Sequence, residues 1–285
     1  MNGKLIVGSM PLGNMDDITL RMLDALKTCD VMYVDFPTTY IDMLTQKYDI
    51  KTKKVMLESF HSCHAEWDQV NEVLDLIRAG KSVLIVSSEG QLAVSDPGVQ
   101  FIQECIREKL DYVVLPGANA GIQALVTSGT SNGRVFIHPT IEPKNVEVEF
   151  PPLKDITHTT TVYIWGKDFP KVLDIIDKTF RWEFNGENVA NKLVALCCNL
   201  TTENEFIITD WANNIKNHPD LNKITDTTLL TIVLGEMLHT EDCDHHICNA
   251  IRDLFPGQKY LGKPHEPIDR FAHRCNHPID HGIYH

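Results

Sequence analysis

Two patterns alternate along the first 130 residues or so of the chain. Short runs in which nearly every position is apolar are separated by longer stretches whose apolar residues recur every three or four positions. The runs "KLIVGSM" (4–10), "DVMYVDF" (30–36), "SVLIVSS" (82–88) and "DYVVLP" (111–116) predict strands covered on both faces. Between them, "DDITLRMLDALKTC" (16–29) predicts a helix that buries Ile18, Leu20, Met22, Leu23 and Leu26. Asp16 and Asp17 stand where a helix start favours acids and caps. "EWDQVNEVLDLIRAGK" (66–81) is strongly periodic and is expected to close at Gly80. "GVQFIQECIREKL" (98–110) and the small-residue segment "NAGIQALVTSG" (119–129) predict two further helices. Strand and helix in alternation imply right-handed crossovers and a mostly parallel sheet. Such sheets bind ligands beyond the carboxyl ends of their strands. Attention therefore falls on the loops "PLGN" (11–14), "SSEGQLAVSDPG" (87–98) and "PGANAG" (116–121).

The pattern changes near residue 140. "HPTIEPKNVEVEFPPLKD" (138–155) carries four prolines and reads as a linker with irregular structure. Strands follow at "THTTTVYIW" (157–165), "KLVALCCNL" (192–200) and "TTLLTIVLGEM" (227–237), with a helix at "PKVLDIIDKTF" (170–180). "ENEFIITDWANNIKNH" (203–218) reads as a short strand leading into a helix. The expected architecture is α/β in two domains. Residues 1–140 form the first, with a mostly parallel sheet, and 141–237 form a mixed α/β second domain. Residues 238–285 are a separate extension.

Composition narrows the function. With 43% hydrophobic and 23% charged residues, the 285-residue chain can bury a large core. Its formal net charge of −13 argues against a broad nucleic-acid-binding face, which is usually basic. The opening apolar run is too short for a signal peptide, and no segment has the roughly 20 apolar residues of a membrane span. We expect a cytoplasmic protein with no membrane partner, its thiols mostly free. The extension is different in kind, holding eight of the 13 histidines and three of the eight cysteines. Cys243, Cys248 and Cys275, with His273 or His277, are a possible tetrahedral zinc set. The competing reading is a histidine-rich tail with no metal.

The loops carry a resemblance. "PLGNMDDITLRMLDALKTCD" (11–30) resembles the P-[IL]-G-N-x-x-D-[IM]-[ST]-x-R-x-x-x-x-L pattern of the tetrapyrrole methylase superfamily. "SSEGQLAVSDPG" resembles S-D-A-G-T-P-x-[IL]-S-D-P-G, the form taken in the branch that 2′-O-methylates a cytidine of bacterial small-subunit ribosomal RNA. "PGANAGIQAL" (116–125) resembles P-G-P-S-A-[AI]-x-x-A-L, and "SGTSNGRVFIHP" (128–139) resembles the segment that closes the family's first domain. The motifs keep their order and spacing over about residues 4–142.

The resemblance implies a two-domain fold with S-adenosylmethionine in the cleft between the domains. It also implies a homodimer, and ribosomal RNA or the small subunit as acceptor. Pro11, Gly13, Gly90, Gln91, Pro116, Gly117 and Ala120 are the positions it assigns to the cofactor side. Asp35, His61 and His138 are the bases it offers for an acceptor hydroxyl, with Asp35 and His61 preferred. Asp96, in the S-D-P-G turn, is expected to cap the following helix. The chain departs from the pattern at Val34 and Pro37 after the second strand, and at Ser88, Gln91 and Leu92 in the third loop. Gln91 could replace a threonine hydroxyl, and Leu92 could fill part of the cleft. A small-molecule acceptor and a non-catalytic binding homologue therefore stay open beside the RNA reading.

Overall fold

The computed structural model describes residues 3–35, 39–57, 63–96, 98–130, 134–141, 144–150, 153, 158–184, 187–190 and 192–235. The first apolar run is divided between strand β1 (Lys4–Val7) and a two-residue strand β2 (Ser9–Met10). Helix α1 (Leu20–Thr28) starts later than its acids suggest. Asp16 and Asp17 lie in a 3₁₀ turn capped by Asn14, and Thr19 caps α1 by accepting from the Met22 N–H at 3.2 Å. The late start rotates the buried face onto Met22, Ala25 and Leu26 and leaves Leu20 85% exposed. Then come β3 (Val31–Val34), α2 (Thr39–Lys47), β4 (Lys53–Met56), α3 (Cys63–Arg78) and β5 (Ser82–Val86). Next are the short β6 (Gly90–Gln91), α4 (Val99–Glu108), β7 (Tyr112–Val114) and α5 (Ala120–Ser128).

The first sheet runs β4-β3-β5-β1-β7 and all its pairings are parallel. Its central strand β5 explains the continuous apolar run. Val83 and Ile85 face Val73, Ile77 and Phe101, while Leu84 and Val86 face Met22, Leu26 and Leu44. Strand β4 escapes the sequence pattern because "KKVM" sits at the edge with mostly exposed side chains. Lysines on such an edge discourage pairing with another chain.

The second half contains β8 (Val135–His138), α6 (Val146–Glu149), β9 (Thr159–Trp165) and α7 (Phe169–Thr179). It continues with β10 (Arg181–Phe184), β11 (Glu187–Ala190), β12 (Leu193–Cys198), β13 (Phe206–Trp211) and β14 (Leu229–Leu234). A mixed sheet runs β13-β12-β14-β9-β8, with only β8 and β9 parallel, and β10 and β11 form a separate ribbon. After β13 the chain makes 3₁₀ turns at Ile215–Asn217 and Pro219–Lys223 where a helix was expected. Asn213 and Asn214 are poor helix formers, and Pro219 cannot continue a helix.

Strand β12 is buried at every position. Val194, Leu196 and Cys198 face the α7 side, while Ala195 and Cys197 face Ala124 and Leu125 of α5. Both α5 and β8 thus join the second sheet although they precede residue 140. The compositional boundary marks the proline-rich segment, whereas the structural crossover comes earlier, after β7. Among the described residues Cys29, Cys105, Cys197 and Cys198 are buried free thiols.

Candidate functional site

The third loop begins where β5 ends. The buried Ser87 hydroxyl donates to the carbonyls of Glu89 (2.9 Å) and Gly90 (3.0 Å), which folds the chain back at once. The returning segment is β6. It pairs antiparallel with β2, Ser9 opposite Gln91 and Met10 opposite Gly90. The Ser9 hydroxyl in turn donates to the Ala118 carbonyl at 2.9 Å, so the first, third and fourth loops are tied together.

Four residues between positions 90 and 98 have left-handed backbone: Gly90 (φ 72°), Ala93 (φ 66°), Ser95 (φ 69°) and Gly98 (φ 120°). Such a conformation is costly for alanine and serine and is held by the surrounding structure. The contorted path sends Leu92 inward, where it is 2% exposed and packs in the core of the first unit with Phe101 and Cys105. Gly98 makes room for it, since a Cβ there would lie 2.9 Å from the Leu92 Cδ2. Leu92 therefore anchors the loop and does not line the cleft.

The cleft lies between the two sheets and encloses about 220 Å³. Leu12, Glu89, Gly90, Gln91, Ser95 and Asp96 contribute to the wall from the first unit. Tyr163, Trp165, Leu229 and Thr231 contribute to the opposite wall. Asn119 and Ala120, at the start of α5, join the two. The Asn119 side chain caps α5 by accepting from the Ile122 N–H at 3.0 Å, and the Gly121 N–H donates to the Tyr163 hydroxyl at 3.1 Å.

The electrostatics are one-sided. No lysine, arginine or histidine lines the cleft among the described residues. Burial pushes the Glu89 carboxyl up to about 7. Burial and the neighbouring Asp35 push Asp96 up to about 7 as well. Asp35 is itself raised by burial. An arrangement of this kind attracts cations and holds exchangeable protons near neutral pH.

The predicted residues divide into groups. Gly90, Gln91 and Ala120 line the cleft. Pro11, Gly13, Pro116 and Gly117 are not among its lining residues. Gly13 lets the first loop approach the second unit, because a Cβ there would lie 2.3 Å from the Thr202 Cγ2 and 2.9 Å from the Leu200 carbonyl. Its N–H and that of Asn14 both donate to the Thr201 hydroxyl, at 2.9 and 3.0 Å. Gly117 packs on Ser9, while Pro116 is exposed. Asp35 sits close enough to Asp96 to raise its pKa. His138 is outside the lining, its Nδ1 2.8 Å from the Pro139 carbonyl.

Asp96 corrects the expectation of a helix cap. The cap position of α4 is Gly98, without a side-chain cap bond, and the Asp96 carboxylate is left in the cleft. Glu89, Tyr163 and Trp165 are lining residues that the sequence reading passed over. Nothing local distinguishes Tyr163 within the continuous run "TTTVYIW" or Glu89 from an ordinary loop acid. His61, Cys243, Cys248, His273, Cys275 and His277 lie outside the described residues. Within the described residues no group of three or more potential metal ligands occurs.

The sequence model of the Tetrapyrrole (Corrin/Porphyrin) Methylases matches residues 4–214. The chain is 37% identical over 142 residues to the ribosomal RNA small subunit methyltransferase I of Thermotoga maritima, covering 50% of this chain and 61% of that protein. It is 35% identical over 128 residues to the protein of that name from Streptococcus pyogenes, covering 45% of this chain and 43% of that protein. The chain thus spans about half the length of these relatives. Among solved structures, a diphthine synthase superposes with a TM-score of 0.63 at 16% identity, covering 89% of this chain and 95% of that one. The uroporphyrin-III C-methyl transferase of Thermus thermophilus complexed with S-adenyl homocysteine superposes with a TM-score of 0.54 at 15% identity, covering 82% and 97%.

Proposed function

Because the chain belongs to the tetrapyrrole methylase family, we propose that it is an S-adenosylmethionine-dependent methyltransferase whose acceptor is a ribose 2′-hydroxyl of RNA. The observation that carries this reading is the acidic cleft at the carboxyl ends of the parallel strands. S-adenosylmethionine is cationic at its sulfonium and its ammonium, and the cleft offers it carboxylates and no competing cation among the described residues. The names of the relatives support RNA of the small ribosomal subunit as the acceptor.

The cofactor supplies a methyl group on a leaving group that departs neutral and needs no acid. The chain's task is to hold the acceptor in line and take one proton. Gly90 and Ala120 leave room for close backbone approach, and Gln91 offers an amide donor and acceptor. Positioning of this kind supplies much of the rate in a displacement. Asp96 is the base of choice, since it lines the cleft and its carboxyl titrates at about 7. Asp35 acts through Asp96, holding its proton affinity high. The protein works in this reading as a cytoplasmic homodimer. The exposed Ile122 and Val126 of α5 and Phe136 of β8 support a self-association surface.

A second reading has its own support. The net charge of −13 and the lack of lysine or arginine in the described cleft favour a small acceptor over a polyanion. Transfer of labelled methyl from S-adenosylmethionine to small-subunit RNA, measured beside a small-molecule extract, separates the two. Label in the RNA supports the first reading, and label only in the small molecules replaces it. Calorimetry that finds no binding of S-adenosylmethionine or S-adenosylhomocysteine would remove both.

A further inference from the structure

Resting on the reading of the cleft as a site for S-adenosylmethionine, we propose that Glu89 holds the α-ammonium of that cofactor and replaces an aspartate that stands one position earlier in the related loops. In the resembling pattern S-D-A-G, the acid precedes a small residue, whereas this chain reads Ser87-Ser88-Glu89-Gly90. The carboxylate has moved one residue along and gained one methylene. Ser88 and Glu89 both line the cleft, so the shift keeps an acid at the same wall.

Glu89 has no hydrogen bond or ion pair from its carboxylate among the described residues. Asp96 of the same loop lines the cleft with it, and Tyr40 of α2 senses both Glu89 and Asp17. The Tyr40 hydroxyl is itself sealed from solvent without a partner. Glu89 is half-buried; a carboxylate partly withdrawn from water without a cation is costly, and the group escapes part of that cost by keeping its proton to about pH 7. An incoming ammonium removes the cost and ionises the acid. The ammonium, and not the sulfonium, is the reasonable partner. The sulfonium loses its charge on transfer, so a carboxylate held against it would stabilise the ground state over the transition state. The ammonium keeps its charge throughout.

The test uses the full chain and two neutral-thioether probes, S-adenosylhomocysteine, which carries the ammonium, and 5′-methylthioadenosine, which lacks it. By calorimetry near pH 8, Glu89→Gln should weaken S-adenosylhomocysteine about tenfold to a hundredfold, the scale of losing a charged hydrogen bond. It should leave 5′-methylthioadenosine within about twofold, which also shows that the variant is folded. Ser88→Asp combined with Glu89→Ala should restore most of the lost affinity. The wild-type affinity for S-adenosylhomocysteine should rise about tenfold from about pH 6 to about pH 8 as Glu89 ionises, and Glu89→Gln should lose most of that slope. Equal weakening of both probes, or no weakening of either, overturns the assignment while leaving the cofactor reading intact. Failure of the wild type to bind either probe overturns both.

Discussion

At the scale of single residues, the proposed reading gives the cleft acids separable jobs. Asp96→Asn keeps the shape of the side chain and removes its basicity. We expect methyl transfer to slow by about 10²–10⁴-fold, the usual contribution of a general base, with S-adenosylhomocysteine binding within a few-fold of wild type. Single-turnover transfer beside calorimetry checks this, and a matched loss of binding would assign Asp96 to the cofactor. Leu92 belongs to a different class although it is four residues away. It is buried beneath the loop, so Leu92→Ala should cost about 2–5 kcal/mol in denaturant unfolding, as for other buried leucines. The sequence pattern could not separate the two. Both stand in a loop of turn-forming residues, and only the four left-handed positions decide that Leu92 turns in while Asp96 stays in the cleft.

At the scale of elements, the loops hold the site because they are stitched to one another and across the units. The β2–β6 pairing and the Ser9–Ala118 bond lock the first unit's loops. Thr201, in the turn between β12 and β13 with φ 64°, takes the N–H groups of Gly13 and Asn14. Thr201→Val leaves those two donors without this partner and should cost about 1–2 kcal/mol. It should also weaken cofactor binding, because Leu12 of the same loop lines the cleft. Thermal unfolding and probe titration check the two effects together, and an unchanged value in both would show the bridge to be dispensable. Most strands and helices were legible beforehand, since buried strands and amphipathic helices write their period into the sequence. Strands β4, β6, β8, β10 and β11 and helices α2 and α6 were not. Strand β4 is a lysine-rich edge with little burial to encode, and α2 writes its buried face in only two apolar side chains, Ile41 and Leu44, among the described residues.

At the scale of the whole molecule, the acid-lined cleft gives stability an unusual pH dependence. Folded Glu89 and Asp96 keep their protons to about 7, whereas their ordinary values are 4.5 and 3.8. Across that window the folded state binds more protons than the unfolded state, so stability falls as pH rises and levels off above about pH 7. Asp16, Asp30, Glu108 and Asp220 are lowered by cationic or backbone donors, so their contribution is lost only as pH falls below the ordinary carboxylate range. The melting temperature of the ligand-free protein should therefore decline from about pH 5 to about pH 7, and Glu89→Gln should flatten the decline. A melting temperature that climbs through that window would show that the cleft acids are solvated.

The sequence by itself determined the α/β class, the parallel first sheet, the loops that contribute to the cleft and the family to which the chain belongs. Those features depend on local periodicity and turn chemistry, which short segments express without help from the rest of the chain. Tertiary structure decided that α5 and β8 pack with the second sheet, that Leu92 is core, and that Glu89 and Asp96 share a cleft with Tyr163. Each of these depends on contacts between segments far apart in the chain. Burial, the quantity that sets the proton affinity of those acids, exists only once the two sheets have come together.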